Sequence, residues 1–209
     1  MNDTMQQVER EVRETVESGV DIYERVRAIT LKALTERTLD IDNIKSVMEA
    51  VLKGMSDGMS PHYDPAKRAF KQTTEALDDT LSKTAEASKL AIEEAAGNLD
   101  EFSSHDFKRA ADDLKSLEGL FLDTMERVGR HSNETAAKIA RDFLDHARRN
   151  GTAVGRQSRV ILENLDNFRV SGQHAVMAGA SATTSALAKI AGGFLAGIAE
   201  SLDPEKSRK

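Results

Sequence analysis

Residues 66–99 read AKRAFKQTTEALDDTLSKTAEASKLAIEEAAGNL, and their apolar side chains recur at steps of three, four and seven. This spacing places them on one face of an α-helix. The face comprises Phe70, Leu77, Leu81, Ala85, Ile92, Ala95 and Leu99. Phe70, Leu81 and Ile92 lie eleven residues apart, a step that keeps packed helices nearly straight. The stretch therefore predicts one long amphipathic helix and a helical fold.

Similar stripes run through most of the remaining chain. They predict helices over residues 4–37, from 40 to near 54, from Ser103 or Ser104 onward, and over 152–202. The stripe weakens at residues 128–134, VGRHSNE, where the helix either continues with an exposed segment or bends. A helix of about 45 residues would be ~68 Å long. We therefore expect an all-α fold, an elongated bundle of four to five long amphipathic helices.

The clearest break in the pattern is GMSDGMSPHYDP, residues 54–65, with two glycines and two prolines. These residues interrupt helices, so the stretch predicts a loop, after which Asp64 and Pro65 restart the helix. The loop divides the chain into an N-terminal helical hairpin, residues 1–60, and a main long-helix bundle, residues 61–209, with an Ala/Gly-rich C-terminal helix. The two parts could also form one continuous domain. Further along, Gly151 is placed to end one helix and Thr152 to cap the next.

The composition narrows the classes of protein. Cysteine and tryptophan are absent and aromatic residues make up 4% of the chain. The absence of cysteine excludes disulfides, Cys-ligated zinc and thiol nucleophiles, and a charged N-terminus without an apolar run argues against a secretory signal. Residues 1–107 carry 22 acidic and 13 basic side chains, whereas residues 108–209 carry 13 and 16. We expect a cytoplasmic protein whose two halves could pair with each other or with a second copy.

No motif for catalysis or cofactor binding is present in the sequence. Glu-x-x-His pairs, phosphate-binding glycine loops and nucleophile elbows are all absent. The five histidines are scattered, so no base is brought to a nucleophile at a predictable spacing. We expect a protein that is not an enzyme and has no metal, cofactor or small-molecule substrate.

The most informative segment is HAVMAGASATTSALAKIAGGFLAGIAESL, residues 174–202, which contains one lysine and one glutamate. Only seven of residues 175–199 are Val, Met, Leu, Ile or Phe, which argues against a membrane span. Small residues at four-residue steps instead favour close contact with another helix, with a bulky apolar row at the C-terminal end. The predicted contact residues are Leu187, Ile190, Gly193, Phe194, Leu195, Gly197 and Ile198. We expect a homo-oligomer, and adsorption to an apolar or anionic membrane or granule surface is the alternative.

A third hypothesis concerns the stretch HARRNGTAVGRQSR, residues 146–159, which contains four arginines and no acidic residue. They are Arg148, Arg149, Arg156 and Arg159. They could bind the phosphates of nucleic acid or anionic lipid. Alternatively, the first two stabilise a helix end and acids elsewhere in the bundle pair with all four. The overall acidic chain makes nucleic-acid binding the weaker alternative.

Two resemblances extend this interpretation. The stretches SSHDFKRAADDLKSLEGLFLDTMERV and FLDHARRNGTAVGRQ resemble an uncharacterised family of bacterial helical proteins, over roughly residues 77–165. That resemblance implies a helical fold and no particular activity. In composition the chain is also similar to phasins, the helical proteins that coat polyhydroxyalkanoate granules. This second likeness rests on composition and on no residue motif, and it implies a surface-coating function.

Overall fold

The computed structural model of the chain describes residues 3–36, 40–97 and 104–171, and every regular element within them is an α-helix. There are seven such helices in the described residues. They are α1 Asp3–Ser18, α2 Ile22–Thr35, α3 Ile41–Gly58, α4 Tyr63–Gly97, α5 Ser104–Arg130, α6 Glu134–Asn150 and α7 Ala153–Ser171. The predicted all-α class is confirmed for this part of the chain, and the long helix of residues 66–99 corresponds to α4.

The single helix expected over residues 4–37 is wrong, because the chain bends between α1 and α2. Gly19 has φ 67° and Asp21 has φ 49°, left-handed conformations that no helix interior contains. The Gly19 amide donates to the carbonyls of Thr15 and Val16, which ends α1. The apolar stripe continues across the bend because Val16 and Ile22 both enter the same core.

The loop expected over residues 54–65 is also shorter than its composition suggests. α3 continues through both glycines to Gly58, and α4 begins at Tyr63, so the connection is residues 59–62. The Asp40 side chain starts α3 by accepting a 2.8 Å hydrogen bond from the Asn43 amide. Asp40 is therefore the N-cap of α3, at the residue where the sequence predicts this helix to start.

Of the two outcomes expected at residues 128–134, the structure has the bend. α5 ends at Arg130, and Asn133 caps α6 by accepting a 2.9 Å hydrogen bond from the Ala136 amide. At the other end of α6, Gly151 adopts φ 73° and donates to the Ala147 carbonyl. The Thr152 hydroxyl then accepts a 3.0 Å bond from the Gly155 amide, so both predicted roles at this connection are confirmed.

One contiguous apolar core draws residues from all seven helices. α1 lies along α3 in the same direction, since Glu9 and Arg13 of α1 face Gly54 and Gly58 of α3 respectively. α6 and α7 follow one another along α4, where Phe143 stacks edge-on to Phe70 and Ala153 contacts Asp78. The division into residues 1–60 and 61–209 stays a prediction.

Candidate functional site

The first turn of α7 is held by a carboxylate from α4. Asp78 accepts hydrogen bonds from the Ala153 amide at 2.8 Å and from the Val154 amide at 2.9 Å. These amides belong to the group that has no partner within a helix, so the carboxylate supplies what the helix itself lacks. Val154 is fully buried, which fixes this end of α7 in the core.

A second carboxylate, from α5, completes the arrangement, which we call the α7 clamp (Asp78, Glu118 and Thr152). Glu118 Oε1 accepts bonds of 2.9 Å from both the amide and the hydroxyl of Thr152. Gly155 leaves room for this carboxylate, because a Cβ there would overlap it. Two helices thus bind the start of a third through charge-assisted hydrogen bonds.

The charge of Asp78 is held in a partly dry environment. Burial raises the pKa of Asp78 above its ordinary value of 3.8, while the amide bonds from Val154 and Ala153 and the nearby Arg156 act in the opposite direction. Glu118 adds a further upward influence on this pKa. The clamp therefore stabilises α7 by hydrogen bonding at the cost of desolvating a carboxylate.

A second ionic cluster joins α2 to α4. Asp79 Oδ2 lies 3.2 Å from Arg27 Nε and accepts a 3.3 Å hydrogen bond from the Tyr23 hydroxyl. Burial first, and then the Asp79 charge, raise the pKa of Tyr23. Adjacent residues of α4 thus serve two helices, because Asp78 binds α7 and Asp79 binds α2.

The four arginines that the sequence suggests as phosphate-binding residues are all exposed. They lie on either side of the α6–α7 connection. Arg148 forms a 2.6 Å ion pair with Glu126 of α5, whose other oxygen pairs with Arg130 at 2.7 Å. Arg149 donates to the Asp145 carbonyl of its own helix at 2.9 Å. Arg148 thus pairs with an acid of another helix, whereas Arg149 contacts a backbone carbonyl at the end of its own helix.

The other two arginines lie on the first turns of α7. Arg156 Nη1 is 3.4 Å from the Gly151 carbonyl and contributes to the electrostatic environment of Asp78. Arg159 approaches Gly151 closely, since its Nη2 would be 3.3 Å from a Cβ built there. Arg156 and Arg159 thus lie next to the α7 clamp.

The sequence analysis did not predict a close contact between α1 and α3. A Cβ on Gly58 would lie 2.6 Å from the Arg13 carbonyl oxygen, and one on Gly54 would overlap the Glu9 carbonyl oxygen. The two helices can approach this closely only because both positions lack a side chain. The Gly-x-x-x-Gly spacing was a visible signal for this contact, which we call the α1–α3 seam (Gly54 and Gly58).

Sequence analysis also missed the clamp carboxylates of Asp78 and Glu118, because no pattern among neighbouring residues indicates their role. Asp78 is 75 residues from Ala153, and Glu118 is 34 residues from Thr152. The predicted partner-contact residues, Leu187 to Ile198, lie outside the described residues.

Within residues 3–36, 40–97 and 104–171, no three His, Cys, Asp or Glu side chains are grouped so that they could hold a metal ion. Among the helices of these ranges, none is long and apolar enough to cross a bilayer.

Comparison with known proteins identifies the family of the chain. The model of a family of unknown function, DUF6781, matches residues 1–204. The chain belongs to the DUF6781 family. The resemblance to an uncharacterised helical family is thereby confirmed, and the DUF6781 match extends well beyond residues 77–165 at both ends. No curated protein and no solved structure matches the chain.

Proposed function

We propose that this DUF6781 protein is a non-enzymatic interaction protein of the cytoplasm that self-associates through long amphipathic helices of an elongated bundle. The observation that carries the proposal is the α1–α3 seam, in which Gly54 and Gly58 bring two helix backbones together. The same spacing recurs at Gly193 and Gly197, within the apolar segment of residues 174–202. We propose that this second Gly-x-x-x-Gly spacing brings the C-terminal segment into close contact with another copy of the chain.

The α7 clamp is a second observation that supports the same proposal. α7 immediately precedes residues 174–202 in the sequence. Asp78 and Glu118 tie the start of α7 to α4 and α5. Contacts made through the C-terminal segment would therefore act on the bundle as a whole.

The test is the molar mass of the full-length chain, measured by light scattering during size-exclusion chromatography. We expect a multiple of 22.9 kDa for the wild type. A triple variant, Leu187→Ser, Phe194→Ser and Ile198→Ser, should elute as a monomer, because it removes the bulky row.

The matched control carries the same new residue three times at small positions of the same segment, Ala178→Ser, Ala182→Ser and Ala196→Ser. It should keep the mass of the wild type, since serine adds little bulk. A wild-type mass of 22.9 kDa at every load would overturn the proposal. So would a triple variant that associates as strongly as the wild type.

A second candidate is a phasin-like or membrane-surface coat. It is favoured by the bulky row of residues 187–198 and the basic residues Lys206, Arg208 and Lys209 that follow it. Flotation with phosphatidylglycerol vesicles and with polyester granules separates this function from self-association. Full-length protein should float, and a chain ending at Ser171 should not. Equal recovery of the two chains in the bottom fraction would remove this candidate.

Nucleic-acid binding through the four arginines stays a prediction of the sequence. The contact between Arg148 and Glu126 supports a structural role for at least one of them. An electrophoretic mobility shift that weakens steeply with salt is the signature of binding to phosphates.

A further inference from the structure

The described part of the chain contains five methionines, all buried, and one of them borders an open cleft. The exposed fraction of the residue is 0% for Met48, 1% for Met125, 3% for Met55, 5% for Met5 and 7% for Met59. Met59 lines a surface cleft of about 420 Å³ between the α1–α2 bend, the end of α3 and the first turns of α4. The other four described methionines do not line this cleft. A small solute therefore has access to Met59 from the surface.

Met59 also lines a cavity inside the core. It shares this cavity, of about 10 Å³, with Met55 and Met125, where α3, α4, α5 and α6 come together. The other side chains in the lining are apolar except for Ser132, whose hydroxyl lies 2.6 Å from Ser56 Oγ. A space of this size holds about one water at most. Met59 thus lies between an open cleft and a nearly closed apolar cavity.

The backbone at Met59 is free of the constraints of a helix. Met59 follows the last residue of α3 and is extended, with φ −74° and ψ 130°. Its amide donates a long bond of 3.4 Å to the Ser56 carbonyl. Met59 is also the first residue of the connection of residues 59–62. Its side chain can therefore change position without breaking a helix.

We propose that Met59 is a site of reversible oxidation by hydroperoxides, and that its sulfoxide loosens the packing of the α3 end against α5 and α6. With hydrogen peroxide, the sulfur lone pair forms the S–O bond as the O–O bond breaks. The proton of the transferred oxygen passes to the leaving hydroxide, which departs as water. The sulfur is oxidised by two electrons and the peroxide is reduced. This inference is independent of the proposed self-association.

The loosening follows from the polarity of the sulfoxide. Oxidation converts an apolar side chain into a polar one, and burying a polar group without a hydrogen bond costs free energy. The apolar side chains that line the cavity, such as Leu52, Phe70 and Ala140, offer no donor. The cleft is open to water. The oxidised side chain therefore leaves the cavity for the cleft, and α3 loses its Met59 contacts with α5 and α6.

Peptide mapping by mass spectrometry during treatment of the full-length protein with hydrogen peroxide tests the site. We expect Met59 to gain oxygen about tenfold faster or more than Met48, Met55 and Met125, because access governs this oxidation. The same treatment in urea, where the chain is unfolded, should give similar rates at all four. Equal rates at Met59 and Met48 in the folded protein would overturn the inference, since Met48 is fully buried.

A pair of variants tests the loosening, at a peroxide dose that oxidises Met59 and spares Met48. Oxidation should lower the urea midpoint of the wild type, and methionine sulfoxide reductase should restore it. Met59→Leu keeps an apolar side chain of similar volume without the sulfur, so its midpoint should stay nearly unchanged. The matched control, Met48→Leu, should lose stability on oxidation as the wild type does. An oxidised wild type with an unchanged midpoint would overturn the loosening, and so would an equal loss in Met59→Leu.

Discussion

Substituting alanine for glycine in the α1–α3 seam should push two helices apart. A Cβ on Gly58 would lie 2.6 Å from the Arg13 carbonyl oxygen and 3.1 Å from Val16 Cβ, whereas ordinary contact begins at 3.4 Å. The carbonyl oxygen must therefore recede by about 0.8 Å. It belongs to the backbone of α1 and cannot rotate away, so the helix itself must shift.

The size of the effect follows from two opposing terms. Overpacking a well-packed interface costs about 1–3 kcal/mol. Alanine in a helix interior recovers roughly 1 kcal/mol relative to glycine. We therefore expect Gly58→Ala to lower the free energy of unfolding by up to about 2 kcal/mol. Gly54→Ala, whose Cβ would overlap the Glu9 carbonyl oxygen, should lower it by at least as much.

Urea unfolding followed by circular dichroism at 222 nm measures these changes. Gly119→Ala in α5 is the matched control, because a Cβ there meets nothing within 4 Å. Removing that glycine should raise stability by about 0.5–1 kcal/mol through helix propensity alone. If Gly58→Ala raised stability as Gly119→Ala does, the close contact between α1 and α3 would be refuted.

Three further predictions concern the clamp and the arginines. Asp78→Ala removes the acceptor of two amides and should lower the free energy of unfolding by about 1–2 kcal/mol in urea titrations, with a smaller loss for Asp78→Asn, which keeps one acceptor. Burial raises the pKa of Asp78, so the folded chain keeps this proton to higher pH than the unfolded chain. The stability that the folded chain gains by keeping the Asp78 proton is therefore fully present below pH 3.8. It is lost as the pH rises through the folded-state pKa of Asp78. Asp78→Asn should abolish that part of the decline, and an unchanged pH profile would contradict this. Arg148→Ala breaks a half-exposed pair with Glu126 and should change the unfolding free energy by less than about 1 kcal/mol.

The sequence predicted those parts of the fold that depend on local chemistry. The spacing of Phe70, Leu77 and Leu81 was sufficient for α4, because a helical stripe needs no knowledge of what it packs against. Gly151 and Thr152 were placed correctly since a helix end and a cap are determined within a few residues.

Tertiary contacts decided the features that were predicted wrongly. Gly54 and Gly58 weaken a helix in isolation and so indicated a loop, yet contact with α1 favours helix at both positions. The bend at Gly19 was hidden because Val16 and Ile22 enter one core from either side of it. Asp78 and Glu118 gave no signal, since their partners lie far away along the chain.

Sedimentation equilibrium of the full-length chain over a hundredfold range of concentration tests the central claim of self-association most directly. The proposal predicts a weight-average mass that rises with concentration to a multiple of 22.9 kDa and falls when Gly193 and Gly197 are both replaced by leucine. A mass of 22.9 kDa at every concentration would contradict it.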